Sequence, residues 1–195
     1  MRRITTFTHI SLDGVMQAPA DPNEDRTRGF THGGWAAKYG DEVLAQHVSQ
    51  GMSAKGGGFL FGRKTYEHMA SYWPHQTDGN PYTDVLNRKV KYVASNTVRD
   101  PDWQNTTVIS GEVIDDIAKL KTEGDDDLLI LGSGQLIRSL LPHGLIDELT
   151  LVINPVVLGS GQRLFDGDGT YTKMQLVESK PTTTGALITV YRPTS

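Results

Sequence analysis

The chain contains no cysteine. That single absence excludes disulfides, thiolate metal sites and a cysteine nucleophile, and it suits a reducing, cytoplasmic setting. Long apolar runs are also missing: no window approaches about 18 consecutive apolar residues, and the N-terminal "MRRITTFTHISLDG" has no apolar stretch of the length a secretory leader needs. A membrane partner is therefore not expected. Nor is there an excess of positive charge, since 19 Lys and Arg face 23 Asp and Glu for a formal net charge of −4. Without a basic stripe, nucleic acid is not an expected partner either. Metal-ligand spacing is lacking too. His9, His32, His47, His68, His75 and His143 include no pair at the spacing of a helical zinc motif, and Asp125 to Asp127, being consecutive, cannot all face one ion and read as a solvated turn.

What remains is an ordinary globular composition over 195 residues, 37% hydrophobic and 22% charged. This predicts one domain spanning residues 1–195. Ile4 to Ser11, rich in β-branched and aromatic residues, predicts a first strand that stops at "LDG". A long aperiodic loop follows to Gly34, of a length that usually carries function. Apolar positions from Trp35 to Met52 predict one helix, or two broken at Gly40. A short buried strand at Phe59 to Phe61 then leads into a helix from Arg63 or Lys64. "KYVASN" and "TTVISG" read as strands, Val113 to Lys121 as a helix, and "DLLILGSGQLIRSLL" as strand, glycine turn and helix. "IDELTLVINPVVLGSGQRLF" predicts a strand pair or a long strand bent at Pro155, and "KMQLVESK" with "ALITVYR" a terminal hairpin. Strand and helix alternation ending in a hairpin predicts a three-layer α/β fold with a mixed sheet.

Two strand-to-helix junctions carry the chemistry. At Gly132-Ser133-Gly134 the helix opens with free N–H groups at its positive end and no Cβ on the glycines, which suits a dinucleotide pyrophosphate or simply permits a tight turn. The second junction, "FGRKTYE", places Arg63, Lys64 and Thr65 after Gly62 in a first helical turn. Cations there oppose the helix dipole by roughly 0.3–1 kcal/mol each, so a phosphate would balance them. A third strand end offers Ser95, Asn96 and Thr97. Three such ends predict one extended phosphorylated ligand along the carboxyl edge of a sheet.

Taken in order, "SLDG", "FGRKTYE", "YVASNT", "LGSGQL" and "LIDELTLVINPVVLGSGQRLF" resemble the dihydrofolate reductase superfamily. The similarity is to its branch related to the C-terminal reductase domain of the bifunctional riboflavin-biosynthesis deaminase-reductase. The resemblance implies a mixed, mostly parallel eight-stranded sheet in an αβα sandwich with a C-terminal antiparallel hairpin, NADPH as hydride donor, and a homodimer. It assigns Gly62, Arg63, Lys64, Thr65, Ser95 and Asn96 to the phosphate side of the cofactor. Gly132, Ser133, Gly134, Gln135 and Leu136 would line the pyrophosphate and ribose, and the segment Gly14, Val15 and Met16 would cover the nicotinamide. Cations instead of an acid at the ribose predict NADPH over NADH.

On the substrate side the resemblance suggests Asp13 as a contact to a substrate hydroxyl or amine; the alternative is a turn aspartate before Gly14. Folate-reducing members carry an acid on the first helix. The matching window here, Val43 to Gln46, holds no carboxylate and offers only Gln46, with Asp41 and Glu42 just upstream. A neutral amide orients a ring but does not deliver a proton. Trp35 and Gln17 complete the candidate substrate residues. The expected activity is NADPH-dependent reduction of a small pyrimidine-, pterin- or flavin-like heterocycle or an imine, nearest to 5-amino-6-(5-phosphoribosylamino)uracil reduction. Dihydrofolate reduction and a non-catalytic dinucleotide-binding module are the alternatives.

Overall fold

The β-branched run Ile4–Ser11 forms β1, and its burial alternates between fully and partly buried positions, so one face lies deeper than the other. This is a computed structural model, and it describes residues 1–53, 57–77, 79–166 and 171–194. The strands after it are β2 (Gly58–Gly62), β3 (Val90–Ala94), β4 (Thr106–Ile109), β5 (Leu128–Leu131), β6 (Glu148–Asn154), β7 (Lys173–Pro181) and β8 (Leu187–Thr194). They make one eight-stranded sheet in the order β4-β3-β2-β5-β1-β6-β8-β7. All pairings from β4 across to β6 are parallel, and β8 and β7 close the far edge antiparallel.

Helices cover both faces, as parallel strands require. On one side α1 (Glu42–Ser53), α2 (Arg63–Tyr72) and α3 (Pro81–Arg88) bury Met52, Tyr66 and Leu86 against Phe59, Phe61 and Val93. On the other, α4 (Val113–Glu123) and α5 (Gly134–Leu140) press Ile117, Ile137 and Leu140 onto Ile4, Leu60, Ile130 and Leu149. The expected αβα sandwich with its mixed sheet and terminal hairpin is what the chain forms. The segment after Trp35 resolves as a 3-10 turn, Ala37–Tyr39, and α1, separated at Gly40.

Two expectations differ. No second strand follows Pro155: β6 ends at Asn154, and the chain beyond it runs beside the loop after β1, touching it through an isolated bridge between Val15 and Arg163. Helix α3 has no counterpart in the sequence reading, although its start is well marked. The Asn80 side chain accepts from the Tyr82 N–H and Pro81 sits in the first turn.

Two buried lysines tie elements together. Lys121 on α4 donates to the Leu145 carbonyl and to the Asp147 carboxylate just before β6. Lys91 on β3 is 0% exposed. Its ammonium donates to the carbonyls of Asn87, Lys89 and Gln104 at 3.1, 2.8 and 3.0 Å and lies 4.5 Å from the Trp103 ring centre.

Candidate functional site

The strand order brings the predicted segments into one row. β3, β2, β5 and β1 are successive neighbours and parallel, so Ser95–Asn96, Gly62–Thr65, Gly132–Leu136 and Asp13–Gln17 all leave the same edge of the sheet. Because β5 inserts between β2 and β1, the chain reverses direction there, which is where open α/β sheets form a ligand crevice.

The two glycine junctions are joined directly. The Ser133 hydroxyl accepts from the Gly62 N–H at 3.0 Å, and the Gly132 N–H donates to the Phe7 carbonyl at 3.0 Å. Gly132 lies at φ +61°, and Ser133, a non-glycine, at φ 50° and ψ 46°. Left-handed backbone at a residue with a side chain is disfavoured; here it accompanies the hydroxyl's bond to Gly62. A Cβ on Gly132 would meet only Thr65 Cγ2, at 3.9 Å, so the face of the turn is open. Gly134 is different, because a Cβ there would lie 1.9 Å from the Met16 sulfur, so Met16 rests on this glycine. Leu136 is buried in the main core, while Gln135 is exposed.

At the second junction α2 begins at Arg63 with Gly62 as its cap, no capping side chain and no acid in the first turn. Arg63 and Lys64 do have protein partners: Arg63 pairs with Glu67 one turn on, at 3.0 Å, and Lys64 with Asp25 of the long loop, at 3.4 Å. Both cations are about half exposed, 45% and 57%. Ion pairs of that exposure are worth about 0–1 kcal/mol and exchange readily for a stronger anion. Ser95 and Asn96 shape the end of β3. The Ser95 hydroxyl accepts from the Thr97 and Val98 N–H groups at 3.1 Å each, and Asn96 Oδ1 accepts from the Gly111 N–H at 2.7 Å.

The loop after β1 is stitched down. Asp13 accepts from the Ser11 hydroxyl at 2.7 Å and from the N–H groups of Leu158 and Gly159 at 3.1 and 2.9 Å, with the Arg163 guanidinium 3.6 Å away. The Ser11 hydroxyl foremost, then the two main-chain donors, hold its carboxyl down at about 2 against the opposing effect of burial. Its partners make Asp13 the pin between this loop and the segment after β6. The buried Gln17 side chain donates to the Asp25 and Thr27 carbonyls and accepts from the Gln162 N–H. Trp35 donates to the Gln17 carbonyl at 2.7 Å and packs with Val15, Ala18, Phe30 and Ala36 in a small core of the loop itself. Gln17 and Trp35 are thus both engaged inside the loop.

On α1, Gln46 lies on the exposed face and donates to Glu42 at 3.2 Å. Asp41 caps the helix through the Leu44 N–H, and its other oxygen accepts from the Thr183 N–H and hydroxyl in the terminal hairpin. The carboxylates of Asp41 and Glu42 are thus both engaged with protein partners, Asp41 with the hairpin and Glu42 with Gln46. The groove lined by Ser49, Met52, Pro81, Tyr82 and Val85 lies between α1 and α3 and includes none of the strand-end residues. Among the described residues no group of His, Asp and Glu is arranged to hold a metal ion, and no helix is long and apolar enough to cross a membrane.

The sequence reading passed over one polar residue of this region. His9, on β1, turns toward α1 beside Phe7, with ring centres 5.5 Å apart, and its Nδ1 is 3.3 Å from the Asn154 amide nitrogen. Burial pushes its pKa down to about 4. A histidine in the middle of a strand carries no motif, and the signal appears only when β1 and β6 are laid in register, His9 opposite Val152.

The sheet order, the paired glycine turns and the terminal hairpin define a dihydrofolate reductase-like fold. A dihydrofolate reductase of Enterococcus faecalis, solved in complex with NADP(H) and RAB-propyl, superposes with a TM-score of 0.63 at 12% identity over 99% of this chain and 97% of that one. A protein of Shewanella sp. PV-4, provisionally assigned to riboflavin biosynthesis, superposes with a TM-score of 0.75 at 23% identity over 99% of each chain. Within this class, residues 2–188 match the family model of the RibD C-terminal domain, and the chain belongs to that family. Protein YyaP of Bacillus subtilis (strain 168) is 30% identical over 135 residues, 68% of this chain and 71% of that protein.

Proposed function

We propose that this chain is an NADPH-dependent reductase that reduces a C=N or C=O bond of a small heterocycle or imine, with 5-amino-6-(5-phosphoribosylamino)uracil the nearest candidate substrate. One observation carries the reading: four candidate segments on four adjacent parallel strands reach a single edge, and the Ser133–Gly62 bond locks the central two together. The cofactor fits the residues present. The uncapped start of α2, with Arg63, Lys64 and Thr65 in its first turn, would take the 2′-phosphate, and Ser95 and Asn96 flank it. The open face of Gly132 and the turn through Gln135 would take the pyrophosphate and ribose, under the Gly14–Met16 segment. When bound, NADPH supplies the hydride. Arg63 and Lys64 would exchange Glu67 and Asp25 for phosphate oxygens, and charge-assisted bonds of about 1.5–3 kcal/mol each would outweigh the exposed pairs they replace.

Asp13 acts in this reading as a positioning residue: it holds the loop whose Met16 rests on Gly134. Dihydrofolate is disfavoured as substrate, since Gln46 faces solvent and the carboxylate of Asp41 is occupied by the hairpin. Family resemblance favours a homodimer in the cytoplasm.

Quenching of tryptophan fluorescence by NADPH and by NADH tests the reading. Wild type is expected to prefer NADPH by at least about tenfold, equivalent to about 1.4 kcal/mol, and Arg63→Ala to lose that preference while binding NADH unchanged. If neither nucleotide binds, the reductase reading falls.

A further inference from the structure

β5 pairs with β1 only as far as Phe7↔Leu131, and the chain then turns away at Gly132. His9 is the next β1 residue on the Phe7 face, so it stands just past the end of β5, beside the Gly132 turn and toward α1. Its protonation pattern is set by Asn154, which is fully buried. The Asn154 amide nitrogen donates to the Val152 and Ile10 carbonyls at 2.9 and 3.2 Å. Turning the amide over would set its oxygen against both carbonyls, so the group facing His9 Nδ1 is the amide NH₂, whose two hydrogens serve the carbonyls first and reach the ring nitrogen only as a shared 3.3 Å contact. An Nδ1–H would point its hydrogen at that NH₂, so Nδ1 keeps its lone pair on this side and the ring proton sits on Nε2. Asn154 Oδ1 is itself buried without a partner, a cost consistent with an amide held for the sake of its nitrogen. His9 Nε2 has no hydrogen-bond partner among the described residues and is not among the sealed polar atoms, so it is open to a ligand.

We infer that His9, held by Asn154 as a neutral Nε2–H donor, positions the reducible substrate by donating to a carbonyl oxygen or ring nitrogen. This rests on the reductase reading and adds a preference: the substrate class presents an acceptor at this point. A carboxylate in such a pocket would instead select the N–H groups of an amino-pterin edge. A neutral imidazole whose remaining nitrogen carries the proton cannot accept them.

The test uses protein labelled with ¹⁵N-histidine, and 1,3-dimethyllumazine, whose ring carries acceptors and no N–H, with and without saturating NADP⁺. The free protein is expected to show the Nε2–H form of His9, and the probe to move that nitrogen's signal. Binding of the probe should weaken at least tenfold in His9→Phe and recover to within about threefold of wild type in His9→Gln, whose amide again donates. An Nδ1–H form, an unmoved Nε2 signal, or equal binding of dimethyllumazine by wild type and His9→Phe would overturn the inference. The wild-type signals decide the matter even if a variant misfolds. Failure of NADPH binding would strike the reductase reading alone, because the tautomer and the cofactor-free titration are read independently of it.

Discussion

Replacing Lys91 by methionine is expected to destabilise the protein by about 3 kcal/mol, the scale on which removing one partner from a buried charged network is felt. The Met side chain fills much of the same volume, so the loss is not one of packing. The Asn87, Lys89 and Gln104 carbonyls that converge on the ammonium are left facing an apolar group, and the Trp103 ring loses the cation over its face. For a chain of this length that corresponds to a fall in Tm of roughly 6–12 °C, measurable by thermal or urea denaturation. A pH series adds a second handle. Burial lowers the Lys91 amine from 10.5 to about 8. Between those values the folded protein holds fewer protons at this site than the unfolded chain, so wild-type stability gains with rising pH. The methionine variant lacks that contribution, and the gap between the two widens above pH 8.

Asp13→Ala is expected to cost about 2 kcal/mol, since it strips the acceptor from two main-chain N–H groups and from the Ser11 hydroxyl at once. Asp13→Asn keeps one acceptor oxygen and is expected to fall between. The pH dependence has the same sign as that of Lys91, stability rising with pH, but in an acidic window. A carboxyl held at about 2 instead of 3.8 contributes fully above pH 3.8 and loses that contribution as the pH falls toward 2. Urea titrations of wild type and Asp13→Asn should therefore converge on going from neutral pH to pH 3. A gap independent of pH would show that the carboxylate charge does not stabilise the loop.

Much of this architecture could be read before any fold was seen, because its signals are local. A run of β-branched and aromatic residues marked β1, glycine ended β2 and β5 where helices begin, and "KMQLVESK" with "ALITVYR" marked the hairpin. The candidate cofactor segments were legible for the same reason, as each is a strand end with its own turn chemistry. What the sequence concealed is long-range pairing. Asp13 meets Leu158 and Gly159 across some 145 positions, and nothing near Asp-Gly announces them. Arg63 and Lys64 looked unbalanced at a helix start, yet Glu67 lies one turn on and Asp25 arrives from the long loop. The choice of Gln46 counted residues without knowing which face of α1 meets the sheet; the faces carrying Leu44 and Met52 do. His9 needed the register with Asn154. Helix α3 was missed although Asn80-Pro81 is a good start signal, because its eight residues offer little periodicity.

The long loop after β1 encloses a hydrophobic cluster of its own, with Trp35 at its centre and Gln17 bonded to three parts of the backbone. A segment that carries its own interior is already ordered when a ligand arrives. Association at the neighbouring strand ends then incurs no entropic cost of arranging this cover. The heat-capacity change of binding would reflect the ligand's contact area alone, without a coupled folding contribution.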